Sequence, residues 1–214
     1  MLYYLVSMLF KGLFIAIIFY SIIVHEISHG VVAYWLGDDT ARRNGRLSLN
    51  PLKHVDWFGT VILPLIMYFT TGFVFGYAKP VPINPYNFRN YKRDTGLTAA
   101  AGPFSNILIA IIFALAFHIS GYNSILGNLS LAIVQLNLFL ALFNLIPFPP
   151  LDGSKVLGIF LSDEAYFKFT AQERTGLIIF FAILVLDNMF HLNLISRFIW
   201  PVIHYLTALL GLPA

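Results

Sequence analysis

Six apolar stretches, parted by connectors that hold most of the charge, constrain this chain more than any other feature of it. They run from Leu9 to Leu36, Trp57 to Tyr77, Leu97 to Ile119, Leu129 to Pro147, Gly176 to Phe190 and Leu192 to Leu212. A membrane-spanning helix needs about 20 mostly apolar residues. The expectation is an all-α polytopic membrane protein of about five to six hydrophobic helical segments. Composition agrees: 58% of the 214 residues are hydrophobic and 11% charged, where a soluble domain carries about 25% charged. A soluble enzyme and a disordered chain are both excluded. The absence of cysteine removes disulfide scaffolds, thiol nucleophiles and Cys-based zinc sites. The net charge of +3 is too small to read as a nucleic-acid footprint.

The positions of the basic residues say more than their number. Eleven of the 13 lie in three connectors: Arg42, Arg43, Arg46 and Lys53; Lys79, Arg89, Lys92 and Arg93; Lys155, Lys168 and Arg174. The connector around 120–130 has none. The positive-inside rule puts residues 37–56, 79–96 and 152–174 in the cytoplasm and 120–130 outside. The expected location is the cell membrane, multi-pass, with the site towards the cytoplasm. Parity follows: two cytoplasmic connectors flank Trp57–Tyr77, so that run is expected to be re-entrant or interfacial, turning near Pro64 or within 70–76. Residues 155–174 read as a short surface helix and loop. The first ten residues carry no charge, unlike a signal peptide. No internal repeat and no polar segment long enough for a second domain is visible, so 1–214 reads as one membrane-embedded domain.

The chemistry is concentrated in short motifs. His25-Glu26-Ile27-Ser28-His29 is an H-E-x-x-H. On a helix, positions i and i+4 share a face, so two imidazoles can grip one Zn²⁺. Glu26 projects beside them, where it can take a proton from the water such a metal activates. A chance match is a reasonable reading in a soluble helix. Inside an apolar run each ionisable side chain is costly and marks a functional site. A catalytic zinc takes three protein ligands. The extended pattern with a third histidine fails, because Val32 and Trp35 occupy its positions. Asp38, Asp39 and Asp56 read as solvated surface, and His54 as a loop histidine near the headgroups. Asp152 is the better third ligand. It follows Asn144-Leu-Ile-Pro147-Phe-Pro149-Pro150-Leu151, where prolines break the fourth run and Gly153 permits a sharp turn. Broken backbone at membrane depth is tolerated only when covered by protein or lining a wet cavity. A third motif, Ala99-Ala-Ala-Gly102-Pro103-Phe-Ser105-Asn106, offers small residues for close helix approach and an amide for a cross-helix hydrogen bond. Core packing is its plainer reading.

In this order, the three motifs resemble the site-2 proteases, intramembrane zinc metalloproteases. The resemblance extends through Gly45-Arg-Leu-Ser-Leu-Asn50-Pro51-Leu-Lys-His54 and Ala78-Lys-Pro-Val-Pro-Ile-Asn84-Pro85, and covers about residues 20–160. It is closest to the compact prokaryotic type without PDZ or CBS domains, with 161–214 as additional C-terminal helices. The resemblance implies one zinc per chain held by His25, His29 and Asp152, with Glu26 as general base. It implies that Asn144 helps hold substrate or oxyanion, and it gives Asn106 a supporting or substrate-binding role. The implied substrate is a transmembrane helix of another membrane protein, which must unwind locally to be cut. Arg46–Asn50 and Lys79–Asn84 alternate in a β-like way and are expected to offer a strand edge to it. A metal transporter or metal-binding scaffold would also put His, Glu and Asp in the bilayer. It would not need Glu26 between two histidines, and inverted repeats common in transporters are not visible. A catalytically inactive homologue would have lost one of the four residues, and all four are present.

Overall fold

A computed structural model describes residues 2–71, 76–122 and 124–213. Its helices are α1 (Leu2–Trp35), α2 (Thr40–Arg43), α3 (Leu63–Thr71), α4 (Tyr91–Ser120), α5 (Ile125–Asn144), α6 (Asp152–Gly158), α7 (Asp163–Thr170), α8 (Glu173–Met189) and α9 (Leu194–Leu209).

Among the described residues three helices are long and apolar enough to cross a membrane: the Gly12–Trp35 part of α1, α4 and α5. The pair α7 and α8, bent by 56° at its break, would make a fourth. Each of the six apolar runs carries a helix, α1, α3, α4, α5, α8 and α9, but not every one is long enough to cross. α3 has 9 residues and α9 has 16. At 1.5 Å per residue α9 reaches roughly 24 Å, short of a hydrocarbon core about 30 Å thick, and the apolar helix Trp57–Phe69, which includes the start of α3, is shorter still.

α1 ends because Gly37, at φ +113°, turns the chain into a conformation that L side chains rarely adopt. Asp38 N–H then donates to Ala33 O at 2.9 Å and Gly37 N–H to Tyr34 O at 3.2 Å. This Schellman arrangement satisfies carbonyls that the helix end would otherwise orphan. α4 starts at Asn90, whose side chain accepts from Arg93 N–H at 3.0 Å, while Asp94 accepts from Asn90 N–H at 2.9 Å. Each ends the chain's freedom just outside the apolar run.

α1 and α4 are antiparallel: His29 meets Thr98, and His25, one turn earlier, meets Asn106. α4 and α5 are antiparallel as well, through the short connector ending at the Ser124 cap. α1 and α5 therefore run in the same direction, as their basic flanks require. Further along α4 and α5, Ile199, Ile203 and Leu212 of the α9 region pack with Ala110, Ala114 and Phe117 of α4 and Val134 and Leu138 of α5. Phe180 and Leu184 of α8 close over Leu151, flanked by Phe143, Ile146 and Phe148.

Between α1 and α4 the chain doubles back. A stretch of π-helix (Trp57–Ile62) leads into α3, yet Tyr77 N–H donates to Gly59 O at 3.0 Å and Thr60 Oγ1 to Tyr77 O at 2.9 Å. The two ends of the apolar run thus lie side by side, as parity requires of a run that leaves and returns on one side. Of the expected turn positions, residues 72–75 lie outside the described residues, and Pro64 lies within the first turn of α3.

The β-like element does not form: among the described residues no strand is present. Pro80 and Pro82 lack the N–H groups a ladder needs. The segment Ala78–Asn84 is neither helix nor strand, and other groups hold it. Lys79 N–H donates to His54 O at 2.8 Å, and the Arg46 guanidinium donates to Lys79 O at 2.7 Å. Asn84 N–H donates to Asp38 at 2.7 Å.

Candidate metal centre

α1 projects His25 and His29 one turn apart towards α4, with ring centroids 4.7 Å apart. α4 receives them at Gly102. A Cβ built there would lie 2.5 Å from Nε2 of both imidazoles. The missing side chain is what lets the rings lie on the α4 backbone and reach past it. His29 Nδ1 donates to Thr98 O at 2.8 Å, and His25 Nδ1 to Asn106 Oδ1 at 2.5 Å.

Asp152 arrives from a different part of the chain. α5 stops at Asn144, a run of turns through Leu151 follows, and α6 begins at Asp152. Gly153 serves this turn by close approach, since a Cβ there would lie 2.1 Å from Leu145 O; it is not among the glycines with positive φ. Asp152 Oδ2 stands 3.1 Å from His25 Nε2 and 3.3 Å from His29 Nε2. Among the described residues these three are the one group of His, Asp and Glu side chains close enough to hold a metal ion, their ligand atoms all within 4.8 Å of one another.

The donor chemistry fits a cation. Each Nδ1 faces a carbonyl oxygen, which only accepts, so each Nδ1 keeps its proton. In a neutral imidazole the other nitrogen then carries a lone pair. Two such lone pairs point at a carboxylate oxygen, an arrangement that a positive charge between them stabilises. Neutral imidazoles and a carboxylate suit zinc, and both rings donate their other N–H to an oxygen, as metal-binding histidines do.

Glu26 lies on the same turn of α1, half-buried, and its Oε2 accepts from Val81 N–H at 3.0 Å. The segment held by Arg46, His54 and Asp38 therefore meets the carboxylate at Val81. None of these contacts was legible in the alternation of that segment.

The structure places the remaining candidates elsewhere. His54 is fully buried and donates from Nε2 to Ser48 O at 2.7 Å, so it is a strut of its loop and not a headgroup histidine. Asp56 caps the π-helical stretch through Gly59 N–H at 2.7 Å. Asp39 pairs with Arg43 on the surface. Asp38 corrects the solvated reading outright, with an exposure of 0%. Burial pushes its carboxyl up, but hydrogen bonds from Thr40, Asn84 and Asn87 outweigh this and hold it below the usual carboxylate range. Asn144 donates to Leu140 O of its own helix at 2.9 Å. Asn106 is not placed to touch a substrate: it is 0% exposed and lies between His25 and Asn137. Gly102 serves the close helix approach expected of its motif, whereas Thr98 and Asn137 were missed as members of the site. A polar Asn137 within an apolar run was the available signal.

A Bacillus subtilis protein named "Putative zinc metalloprotease YwhC" is 37% identical to the chain over 193 residues, covering 86% of the chain and 82% of that protein. The chain belongs to the site-2 protease family. A Mycolicibacterium smegmatis protein named "Putative zinc metalloprotease Rip2" is 26% identical over 189 residues, 82% of the chain and 69% of that protein. A Methanocaldococcus jannaschii protein named "Putative zinc metalloprotease MJ0611" is 33% identical over 137 residues, 63% of each. No family model and no solved structure matches the chain.

Proposed function

We propose that the protein is an intramembrane zinc endopeptidase that cuts transmembrane segments of other membrane proteins. The observation that carries this reading is the convergence of His25 Nε2, His29 Nε2 and Asp152 Oδ2 within 4.8 Å, beside a glutamate and among helices long enough to cross a bilayer. His25, His29 and Asp152 would hold the zinc. When bound, zinc supplies Lewis-acid polarisation of the attacking water and of the scissile carbonyl. Glu26 would take the proton of that water and return it to the leaving amine. Val81 N–H holds the Glu26 carboxylate by one oxygen, Oε2, and so orients it. Among the described residues Asn144 Oδ1 has no partner, which leaves an acceptor for a substrate N–H at the end of α5. Relatives named as zinc metalloproteases support the reaction class. The basic connectors support an opening towards the cytoplasm.

The test is Glu26→Gln in purified protein against tagged single-span membrane proteins. The variant should keep its zinc and lose turnover by at least ~10²-fold, the size of a lost general base. Substantial cleavage by a variant free of contaminating protease would sink the mechanism.

A further inference from the structure

Both histidines must present Nε2 with a lone pair if they are to bind a cation, and for His29 the reason is immediate. Its Nδ1 faces Thr98 O, a backbone carbonyl, at 2.8 Å. His25 has no such direct partner. Its Nδ1 faces the side chain of Asn106, and an amide can turn either its oxygen or its nitrogen outward. An outward oxygen fixes the proton on Nδ1. An outward nitrogen would accept the opposite arrangement, with the proton on Nε2 where the metal should be.

The direction is settled two residues further on. Asn106 Nδ2 donates to Asn137 Oδ1 at 2.9 Å. Asn137 Nδ2 donates to Ile133 O at 2.9 Å and to Ser21 Oγ at 3.1 Å. Ile133 O is a backbone carbonyl and can only accept, so the Asn137 nitrogen faces it. Its oxygen then faces Asn106, which must offer Nδ2 to Asn137 and Oδ1 to His25. Both asparagines are fully buried, so no water competes for these groups, and reversing one amide would oppose like groups in a dry interior.

We propose that Asn137 is a positioning residue for the metal centre: with Asn106 it relays the polarity of the Ile133 carbonyl to His25 and locks its proton on Nδ1. Without the Asn137 oxygen, the Asn106 amide gains by turning its nitrogen to His25, and the ring gives up the lone pair on Nε2. The lock acts from α5, a helix that supplies no ligand.

This inference rests on the zinc reading, and the test separates the two. Zinc affinity is measured by chelator competition on purified wild type, Asn137→Leu, Asn137→Asp and Ser21→Ala, with unfolding temperature recorded for each metal-free protein. Leucine suits the apolar interior but cannot accept from Asn106, so zinc affinity should fall ~10- to 100-fold, the usual cost of losing a group that orients a ligating histidine. Aspartate keeps an acceptor towards Asn106 while setting an oxygen against Ile133 O. It should lower the unfolding temperature and still hold zinc within about threefold of wild type, by contrast with that loss. Ser21→Ala leaves Ile133 O in place and should bind as wild type does. Metal-free Asn137→Leu should also show the His25 proton on Nε2 in ¹⁵N spectra. Affinity that merely tracks unfolding temperature across the set, or wild-type affinity in Asn137→Leu, overturns the relay. Weak binding in Ser21→Ala removes Ile133 O as its anchor. A wild type that binds no zinc refutes the metal reading instead.

Discussion

Gly102→Ala adds one methyl group, and the structure says where it goes. The new Cβ would stand 2.5 Å from His25 Nε2, His29 Nε2 and His29 Cε1. Ordinary contact begins near 3.4 Å, so α1 and α4 must part by about 0.9 Å or the rings must move by as much. Neither ring is the loose end of a flexible side chain, because each is tethered at Nδ1. For the fold the change is modest. Overpacking costs about 1–3 kcal/mol, and replacing glycine by alanine inside a helix returns about 1 kcal/mol. The net loss is about 0–2 kcal/mol. For the metal centre the change is severe, since ligand distances must hold to about 0.2 Å and the expected shift is several times that. Zinc affinity should fall by at least ~10-fold, the lower end of what disturbed histidine orientation costs, while unfolding stays cooperative and shifts by a few degrees. The assay is chelator competition beside thermal unfolding in detergent. Wild-type affinity with an unchanged unfolding temperature would mean that Gly102 does not bear on the rings, and the packing argument for the whole motif would fail with it.

Asp38→Asn should cost about 2 kcal/mol at neutral pH, the scale of hydrogen bonds to a buried charge. Because the folded-state pKa of Asp38 is depressed, the stability it contributes is present above the unfolded value near 3.9 and is lost as pH falls towards the folded one. The gap in unfolding temperature between wild type and variant should therefore narrow below about pH 4; a gap that does not change with pH would refute the assignment. The doubled-back run can be checked by single-cysteine labelling, clean in a chain without native cysteine. Arg43→Cys and Arg89→Cys should react with an impermeant maleimide from the same side and Tyr122→Cys from the other. Labelling of Arg43→Cys and Arg89→Cys from opposite sides would make Trp57–Tyr77 a span.

What could be read from the sequence was whatever is local. His25, Glu26 and His29 owe their relation to one helical turn, and Asp152 stands at a break that prolines announce. Charge parity alone implied that Trp57 and Tyr77 lie at the same end, because it depends on flanks and not on contacts. The segment Lys79–Asn84 misled because alternation describes side chains, whereas pairing needs N–H groups that Pro80 and Pro82 do not have. Apolar runs located the helices but not their lengths. Hydropathy records what a helix touches, and α3 and α9 are apolar without being long. Asp38 was hidden by its company: Asp39, Arg42 and Arg43 read as surface and are surface, while Asp38, next to them, turns inward at the end of α1. Thr98 and Asn137 depend on which face of α4 and α5 meets α1, a matter of packing between distant parts of the chain.

Asp152 follows His25 by 127 residues, and this separation orders the making of the centre. A ribosome delivers α1 long before α6, so the two imidazoles and Glu26 enter the bilayer with no carboxylate opposite them. α4 must then arrive to tether both rings, α5 must follow, and the turn from Asn144 to Leu151 must close before an oxygen reaches the histidines. A nascent chain halted anywhere short of residue 152 holds Glu26 and two imidazoles but not the carboxylate that completes the candidate cage. Assembly of the cage thus reports that the helices around it are already home.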